Sequence, residues 1–256
     1  SQGPPRADVG VRQPMSVTGT IPVPAASPGP AADPGGGNDM AAFVEDAANA
    51  VLAAAKDMLA RGLVEGTAGN ISARMEDGNI WITPSSVDYA AMTLEDLVKI
   101  DPIGGVLSGT RSPSSEMALH LACYAAYDDI GSVIHSHPVH ATMFAVAHQS
   151  IPACIDEFSI FIGGEVRVTE YAASGTEDLG AQAVAALKDR GAALIANHGM
   201  VAVGPTPDRV LHITALVERS AHILWGANTL GDLHPLPDEV NANFASVYSF
   251  MRTWKG

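Results

Sequence analysis

Residues 193–203 restrict the fold of this 256-residue chain more than any other segment. They comprise two apolar runs on either side of Asn197-His198-Gly199. Each run has the length and composition of a strand, and the segment between them has the residue types of a tight turn. Strands joined by a tight turn are antiparallel. The sequence therefore predicts a mixed, largely antiparallel sheet with helices packed around it.

Further periodic patterns complete an α/β chain. The predicted strands cover residues 70–74, 79–83, 97–101, 132–137 and 165–171. A first helix is predicted to begin near residue 39. Further helices are predicted over residues 113–127, 139–147, 176–190 and 206–228. Residues 1–38 hold eight of the 17 prolines and few large apolar residues, which predicts a disordered Pro/Gly/Ala-rich extension. Residues 39–256 are then expected to form a single domain of three layers, with the sheet in the centre.

The charge of the chain restricts its partners. A formal net charge of −14 opposes binding to nucleic acid and to acidic membranes, which normally requires clustered Lys and Arg. No apolar run approaches the roughly 20 residues that span a bilayer, and no secretory signal is recognisable. We expect a cytoplasmic protein in which local donors hold any anionic substrate against the overall charge.

His135 and His137 form a His-Ser-His segment at the end of a predicted strand. Residues i and i+2 of a strand point to the same face, so both imidazoles are expected side by side, at a spacing that suits one metal ion. His198 lies in the turn of the apolar hairpin, where it either contacts backbone carbonyls or supplies a third ligand. Imidazole suits zinc, cobalt, nickel and iron, and these residues do not separate them.

Glu116 follows Ser114 and Ser115 at the predicted start of a helix. An acidic residue in a first helical turn interacts favourably with the helix dipole, which by itself accounts for many such residues. Serine hydroxyls and free backbone N–H groups at a helix start also form an anion site. In that case Glu116 faces the bound molecule.

Five segments together resemble the class II aldolase/adducin family, over most of the folded chain. They occur in the order of the family: Glu-Gly-Thr-Ala-Gly-Asn-Ile-Ser (65–72), Ile-Thr-Pro-Ser-Ser (82–86), Pro-Ser-Ser-Glu (113–116), His-Ser-His (135–137) and Ala-Asn-His-Gly (196–199). The resemblance implies a mainly antiparallel sheet between helical layers and a homotetramer with active sites at subunit interfaces. It also implies metal-dependent cleavage of a ketose 1-phosphate, of the L-fuculose 1-phosphate type, to dihydroxyacetone phosphate and an aldehyde.

The resemblance assigns roles to individual residues. It implies that zinc, or another divalent metal such as manganese or cobalt, is bound by Glu116, His135, His137 and His198. Glu116 also becomes the catalytic acid and base once substrate displaces it from the metal. The resemblance further implies a phosphate pocket formed by Asn70, Ser85, Ser86, Ser114 and Ser115.

The chain departs from the family pattern at two places. Ser86 stands where the aldolases commonly have glycine, and residues 155–159, Ile-Asp-Glu-Phe-Ser, lack an expected tyrosine. Tyr248 is the candidate for a catalytic tyrosine that the family takes from its C-terminal segment. These departures keep related activities open, namely epimerisation of a pentulose phosphate, dehydration and metal-dependent decarboxylation. A non-catalytic, adducin-like structural role is the remaining alternative.

Overall fold

The structure, a computed structural model, describes residues 39–253, and it describes side chains from residue 46. The extension predicted over residues 1–38 lies outside the described residues. The described residues belong to one compact unit. Within the described part of the chain, no helix combines the length and hydropathy needed to cross a membrane.

Among residues 39–253, one sheet of seven strands forms the centre of this unit. The strands are β1 (Asn70–Arg74), β2 (Ile80–Ile82), β3 (Val98–Ile100), β4 (Val106–Ser108), β5 (Ser132–Ser136), β6 (Ala192–Ile195) and β7 (Gly199–Gly204). Their spatial order is β4-β3-β2-β1-β5-β7-β6, and every neighbouring pair is antiparallel. The predicted antiparallel sheet and its β6–β7 hairpin are confirmed.

Helices cover both faces of the sheet. They are α1 (Asp39–Ala60), α2 (Met117–Ala126), α3 (Val139–Val146), α4 (Asp156–Ile162), α5 (Glu177–Leu187), α6 (Pro207–Ala227) and α7 (Asp238–Thr253). One buried apolar cluster joins α2 and α5 to one face, and a second joins α1, α3 and α6 to the other. The predicted three-layer α/β architecture is therefore confirmed.

Two predicted elements are wrong. Helix α2 begins at Met117 and not at Pro113, because Pro113 forms a bridge to Pro84 and Ser114 donates its backbone N–H to Thr83. This pairing keeps the chain extended at Pro113 and Ser114. Ser115 and Glu116 then form a turn, and Glu116 is the N-cap and not a first-turn residue. In residues 165–171, Val166 forms an isolated bridge to Ile151 and Val168 forms another to Leu194. The segment therefore does not form a continuous strand. The sequence pattern also did not predict β4, α4 and α7.

The register of the central strands decides which residues share the face under α2. Asn70 lies opposite His135, and Ser72 lies opposite Val133. Val133 belongs to the apolar cluster that includes α2 residues. Because side chains alternate along a strand, Asn70, Ser72 and His135 point toward α2.

Candidate active site

Three imidazoles meet at one end of the sheet. His135 is in β5, His137 follows that strand, and His198 is in the turn between β6 and β7. Their candidate ligand nitrogens all lie within 4.8 Å of one another. The Nε2 atoms of His135 and His137 are 2.8 Å apart. They meet because β5 is paired with β7, which brings the end of β5 beside the β6–β7 turn.

Hydrogen bonding and burial prepare these rings for metal binding. His135 is fully buried, and its Nδ1 lies 2.9 Å from the backbone oxygen of Met200. A ring that donates from Nδ1 leaves the Nε2 lone pair directed into the site. Burial, followed by the charges of His135 and His198, lowers the pKa of His137 to about 4. Burial also lowers the pKa of His198. The latter two rings are therefore neutral at pH 7, which is the form that binds metal.

Glu116 lies against the histidines. Its Oε2 is 3.0 Å from Nε2 of His135, and its Oε1 is 3.6 Å from Nε2 of His198. Burial acts to raise the pKa of the Glu116 carboxyl, but its contact with His135 acts in the opposite direction. Contributions from Ser174 and His198 act in the same direction, and the pKa lies far below its usual range. Glu116 is therefore an anion in this site.

The donor set fits a divalent metal ion. Two ring nitrogens that face each other at 2.8 Å repel through their lone pairs unless they share a proton or a cation. The adjacent carboxylate adds a fourth donor and a negative charge. Three imidazoles with one carboxylate match the ligands of zinc and related first-row ions.

The predicted phosphate-binding residues line one cleft beside these groups. The cleft has a volume of about 200 Å³ and is lined by Thr67, Ala68, Gly69, Asn70, Pro84, Ser85, Ser86, Ser114, Ser115, Glu116, His137, Ser174 and His198. It contains all five predicted phosphate-binding residues and three of the four predicted metal ligands. His135 lies behind it, buried and in contact with Glu116.

Comparison with known proteins identifies the family. Residues 49–225 match the family model described as Class II Aldolase and Adducin N-terminal domain. The chain belongs to the class II aldolase and adducin family. The family that the ordered motifs indicated is therefore confirmed. The antiparallel sheet between helical layers is the fold of this family.

Two curated relatives and one solved structure that resemble this chain are aldolases. The 5-methylthioribulose-1-phosphate/5-deoxyribulose-1-phosphate aldolase of Rhodospirillum rubrum is 36% identical over 184 residues, which are 72% of this chain and 82% of that protein. The L-fuculose phosphate aldolase of Escherichia coli is 33% identical over 198 residues, 77% of this chain and 90% of that protein. A solved L-fuculose 1-phosphate aldolase superposes with a TM-score of 0.77 at 34% identity, covering 80% of this chain and 97% of that one. The chain is accordingly a metal-dependent aldehyde-lyase.

Ser86, at the position where the family resemblance led us to expect glycine, has a backbone conformation that favours glycine. Its φ is +59°, in the left-handed region, where a side chain costs about 1–2 kcal/mol. The loop therefore has a glycine-type conformation at a residue that carries a side chain. Ser86 also lines the cleft.

Replacing Ser86 with glycine is expected to stabilise the protein. Relief of the left-handed strain exceeds the entropy cost of glycine by roughly 0.5–1 kcal/mol, which raises the melting temperature by about 2 °C. Calorimetry measures this shift. Ser86→Ala is the matched control, since it removes the hydroxyl and keeps the strain. An equal rise in both variants would show that the hydroxyl, and not φ, is responsible.

Gly69 allows the chain to pass close to His135. A Cβ at this position would lie 2.7 Å from the backbone oxygen of His135 and 2.7 Å from Cγ1 of Val64, and φ is +76°. Gly69→Ala is expected to destabilise the fold by roughly 2–4 kcal/mol, measured by denaturant unfolding. Gly66→Ala is the control, because Gly66 has φ +60° and open space around it. Its cost is about 1–2 kcal/mol, and equal costs would refute the close approach.

Tyr248 and the segment at residues 155–159 lie outside the cleft formed by this chain. Tyr248 is buried in α7, where its hydroxyl accepts a long hydrogen bond of 3.5 Å from Arg252. Glu157, in α4, pairs at 3.4 Å with Arg219, and both side chains are exposed. A catalytic role for Tyr248 stays a prediction.

Two residues of the site were not predicted from the sequence. Ser174 donates to Oε1 of Glu116 at 2.7 Å, and Nε2 of His120 lies 2.5 Å from Oδ1 of Asn70. His120 is four residues after Glu116, a spacing that places two side chains on one helix face. That spacing could have indicated His120. Ser174 is in a loop, and no sequence pattern indicates it.

Proposed function

We propose that this chain cleaves a ketose 1-phosphate to dihydroxyacetone phosphate and an aldehyde. The observation that carries the proposal is the single cleft in which phosphate-type donors lie beside Glu116, His137 and His198. The relatives support it, since their names specify L-fuculose phosphate and 5-deoxyribulose 1-phosphate as substrates. Both are ketoses with a phosphate on C1, which is the part of the substrate that we place in the cleft.

Neutral donors hold the phosphate in this proposal. Asn70, Ser85, Ser86, Ser114 and Ser115 contribute amide and hydroxyl groups to one wall of the cleft. Helix α2 begins directly after this wall, and the start of a helix favours an anion. Such donors bind phosphate locally in a chain whose net charge is −14. The same charge supports the absence of nucleic acid and membrane partners.

The cleavage requires one proton to leave the C4 hydroxyl and one to reach C3. A divalent ion, which we propose is zinc with manganese or cobalt as alternatives, supplies Lewis acidity at the ketose carbonyl when held by Glu116 and the three histidines. Once substrate displaces Glu116 from the metal, its carboxylate would accept the C4 hydroxyl proton as the C3–C4 bond breaks. The electron pair of that bond would stay on the phosphorylated fragment, and Glu116 would return the proton to C3. Ser174 and Asn70 hold the two carboxylate oxygens in place for this transfer.

An assay of dihydroxyacetone phosphate release tests the proposal. Zinc-loaded protein is expected to release it from L-fuculose 1-phosphate or from 5-deoxyribulose 1-phosphate, measured by NADH oxidation with a coupling dehydrogenase. L-Rhamnulose 1-phosphate serves as a third substrate. Protein that holds a full metal complement and releases none from all three would contradict the proposal.

Mass spectrometry of the products separates the related activities. An unchanged mass with inverted configuration indicates epimerisation, loss of water indicates dehydration, and loss of carbon dioxide indicates decarboxylation. Purified protein that binds no metal would instead support the adducin-like structural role. The structure offers no feature that favours one of these, because Asp156 and Glu157 lie in α4, outside the residues that line the cleft.

We also infer a cytoplasmic homotetramer from the family resemblance. Exposed apolar side chains on α3 and α6 support an assembled form, since Val139 is 59% exposed, Met143 43%, Val146 56% and Trp225 51%. Light scattering coupled to size-exclusion chromatography measures the assembly, and a monomer at micromolar concentration would contradict it.

A further inference from the structure

A chain of buried hydrogen bonds runs from the core to Glu116. The Tyr124 hydroxyl is 2.8 Å from Oγ of Ser72, which is 2.6 Å from Nδ1 of His120. Nε2 of His120 is 2.5 Å from Oδ1 of Asn70, and Nδ2 of Asn70 donates to Oε2 of Glu116 at 3.0 Å. None of the five is more than 6% exposed. Water therefore does not compete for these bonds.

The carboxylate fixes the direction of every bond in this chain. An ionised carboxylate oxygen only accepts, so the Asn70 amide must present its N–H to Glu116 and its oxygen to His120. His120 must then donate from Nε2 and accept at Nδ1. Ser72 donates to that nitrogen and accepts from the Tyr124 hydroxyl. Burial also lowers the pKa of His120 to about 3, so the ring stays neutral and holds one tautomer.

The opposite direction of donation is unfavourable at both ends of this series of hydrogen bonds. At one end, a flipped Asn70 places its oxygen against the Glu116 carboxylate. At the other end, the Tyr124 oxygen already accepts the backbone N–H of Val133. A second hydrogen arriving from Ser72 would leave the tyrosine hydrogen without an acceptor among the described residues, which is unfavourable for a buried hydroxyl.

We propose that His120 is a positioning residue that fixes the Asn70 amide by donating from Nε2. Asn70 then directs one N–H to Glu116 and keeps the other for an anionic group in the cleft that it lines. This inference rests on the proposed function only for the role of Glu116 in proton transfer. The tautomer of His120 and the orientation of Asn70 follow from the hydrogen bonds alone.

Nitrogen-15 NMR of histidine-labelled, zinc-loaded full-length protein tests the tautomer directly. His120, assigned by the signal lost in His120→Gln, is expected to carry its proton on Nε2 and to leave Nδ1 unprotonated throughout pH 5–8. A proton on Nδ1, or a ring that titrates in this range, overturns the proposal. This readout is independent of which reaction the enzyme catalyses.

Two substitutions separate positioning from packing. Glutamine extends an amide N–H toward the position of Nε2, so His120→Gln keeps a donor for Asn70. Asparagine reaches only the position of Nδ1, so His120→Asn keeps the contact with Ser72 and loses the donor. His120→Asn is expected to lower kcat by about 10–100-fold, the usual effect of losing a residue that orients a metal ligand, and His120→Gln by less than about threefold.

Binding of inorganic phosphate to the zinc-loaded variants provides a measurement without turnover. His120→Asn is expected to bind phosphate about tenfold more weakly than His120→Gln, because a freed Asn70 amide turns its oxygen toward the anion. Equal phosphate affinity and equal kcat in two folded variants, shown by matching melting temperatures, overturn the proposal. Wild-type protein that binds no phosphate but shows the Nε2–H tautomer counts against the proposed function and supports the positioning role.

Discussion

His135→Ala is expected to lose the bound metal and to lower kcat/KM by about 10³-fold or more. The substitution removes a fully buried imidazole that is hydrogen-bonded to the backbone oxygen of Met200 and lies in contact with Glu116 and His137. No other described side chain could replace it, because His137 and His198 already face the same point. Loss of Lewis-acid stabilisation costs several kcal/mol of activation free energy, and each 1.36 kcal/mol is about tenfold in rate.

Elemental analysis of dialysed protein and the dihydroxyacetone phosphate assay measure these two effects together. His234→Ala is the matched control, since it removes an exposed histidine in the segment between α6 and α7. It is expected to keep full metal content and activity. His135→Ala protein that folds and retains stoichiometric metal would show that the three histidines do not form the metal site.

Glu116→Gln is expected to lower kcat by about 10²–10⁴-fold, the usual range for loss of a general acid or base. The substitution keeps the shape of the side chain but removes the carboxylate that carries the proton. It also presents an amide N–H to a site where Asn70 and Ser174 already donate. Both activity and local order are therefore reduced, and metal affinity falls because a charged donor is lost.

Exchange of the C3 proton of dihydroxyacetone phosphate with deuterated water isolates the proton transfer from cleavage. Wild-type protein is expected to catalyse this exchange in the absence of aldehyde, and Glu116→Gln is expected to lose it. Glu95→Gln, at an exposed glutamate, is the control. If metal-loaded Glu116→Gln exchanged the proton at the wild-type rate, another residue would have to carry it.

The sequence patterns that predicted the fold correctly are those whose residues all lie within one strand, helix or hairpin. The β6–β7 hairpin carries its apolar strands and its turn within a few residues, so its antiparallel pairing follows from the sequence. The pair His135 and His137 depends only on strand alternation. Glu116 and His198 were assigned to the same site only through the family resemblance. Their local sequence contexts also fitted an ordinary helix start and an ordinary turn.

The wrong predictions come from segments whose partners are distant in sequence. Pro113 favours a helix start, but its neighbour Ser114 bonds to Thr83, about 30 residues earlier, and this bond keeps the chain extended. Residues 165–171 have the composition of a strand and find only isolated bridges. In both segments tertiary contacts override the local preference.

The sequence by itself determined the antiparallel sheet, the His135/His137 pair and, through five ordered motifs, the family. These features depend on spacing along the chain and on residue type. Only the tertiary structure decided that Ser174 holds Glu116 and that His120 fixes Asn70. It also showed that Ser86 keeps a glycine-type backbone and that Tyr248 lies outside the cleft of its own chain. The reason is physical, because hydrogen-bond direction, backbone strain and burial depend on which distant residues become neighbours.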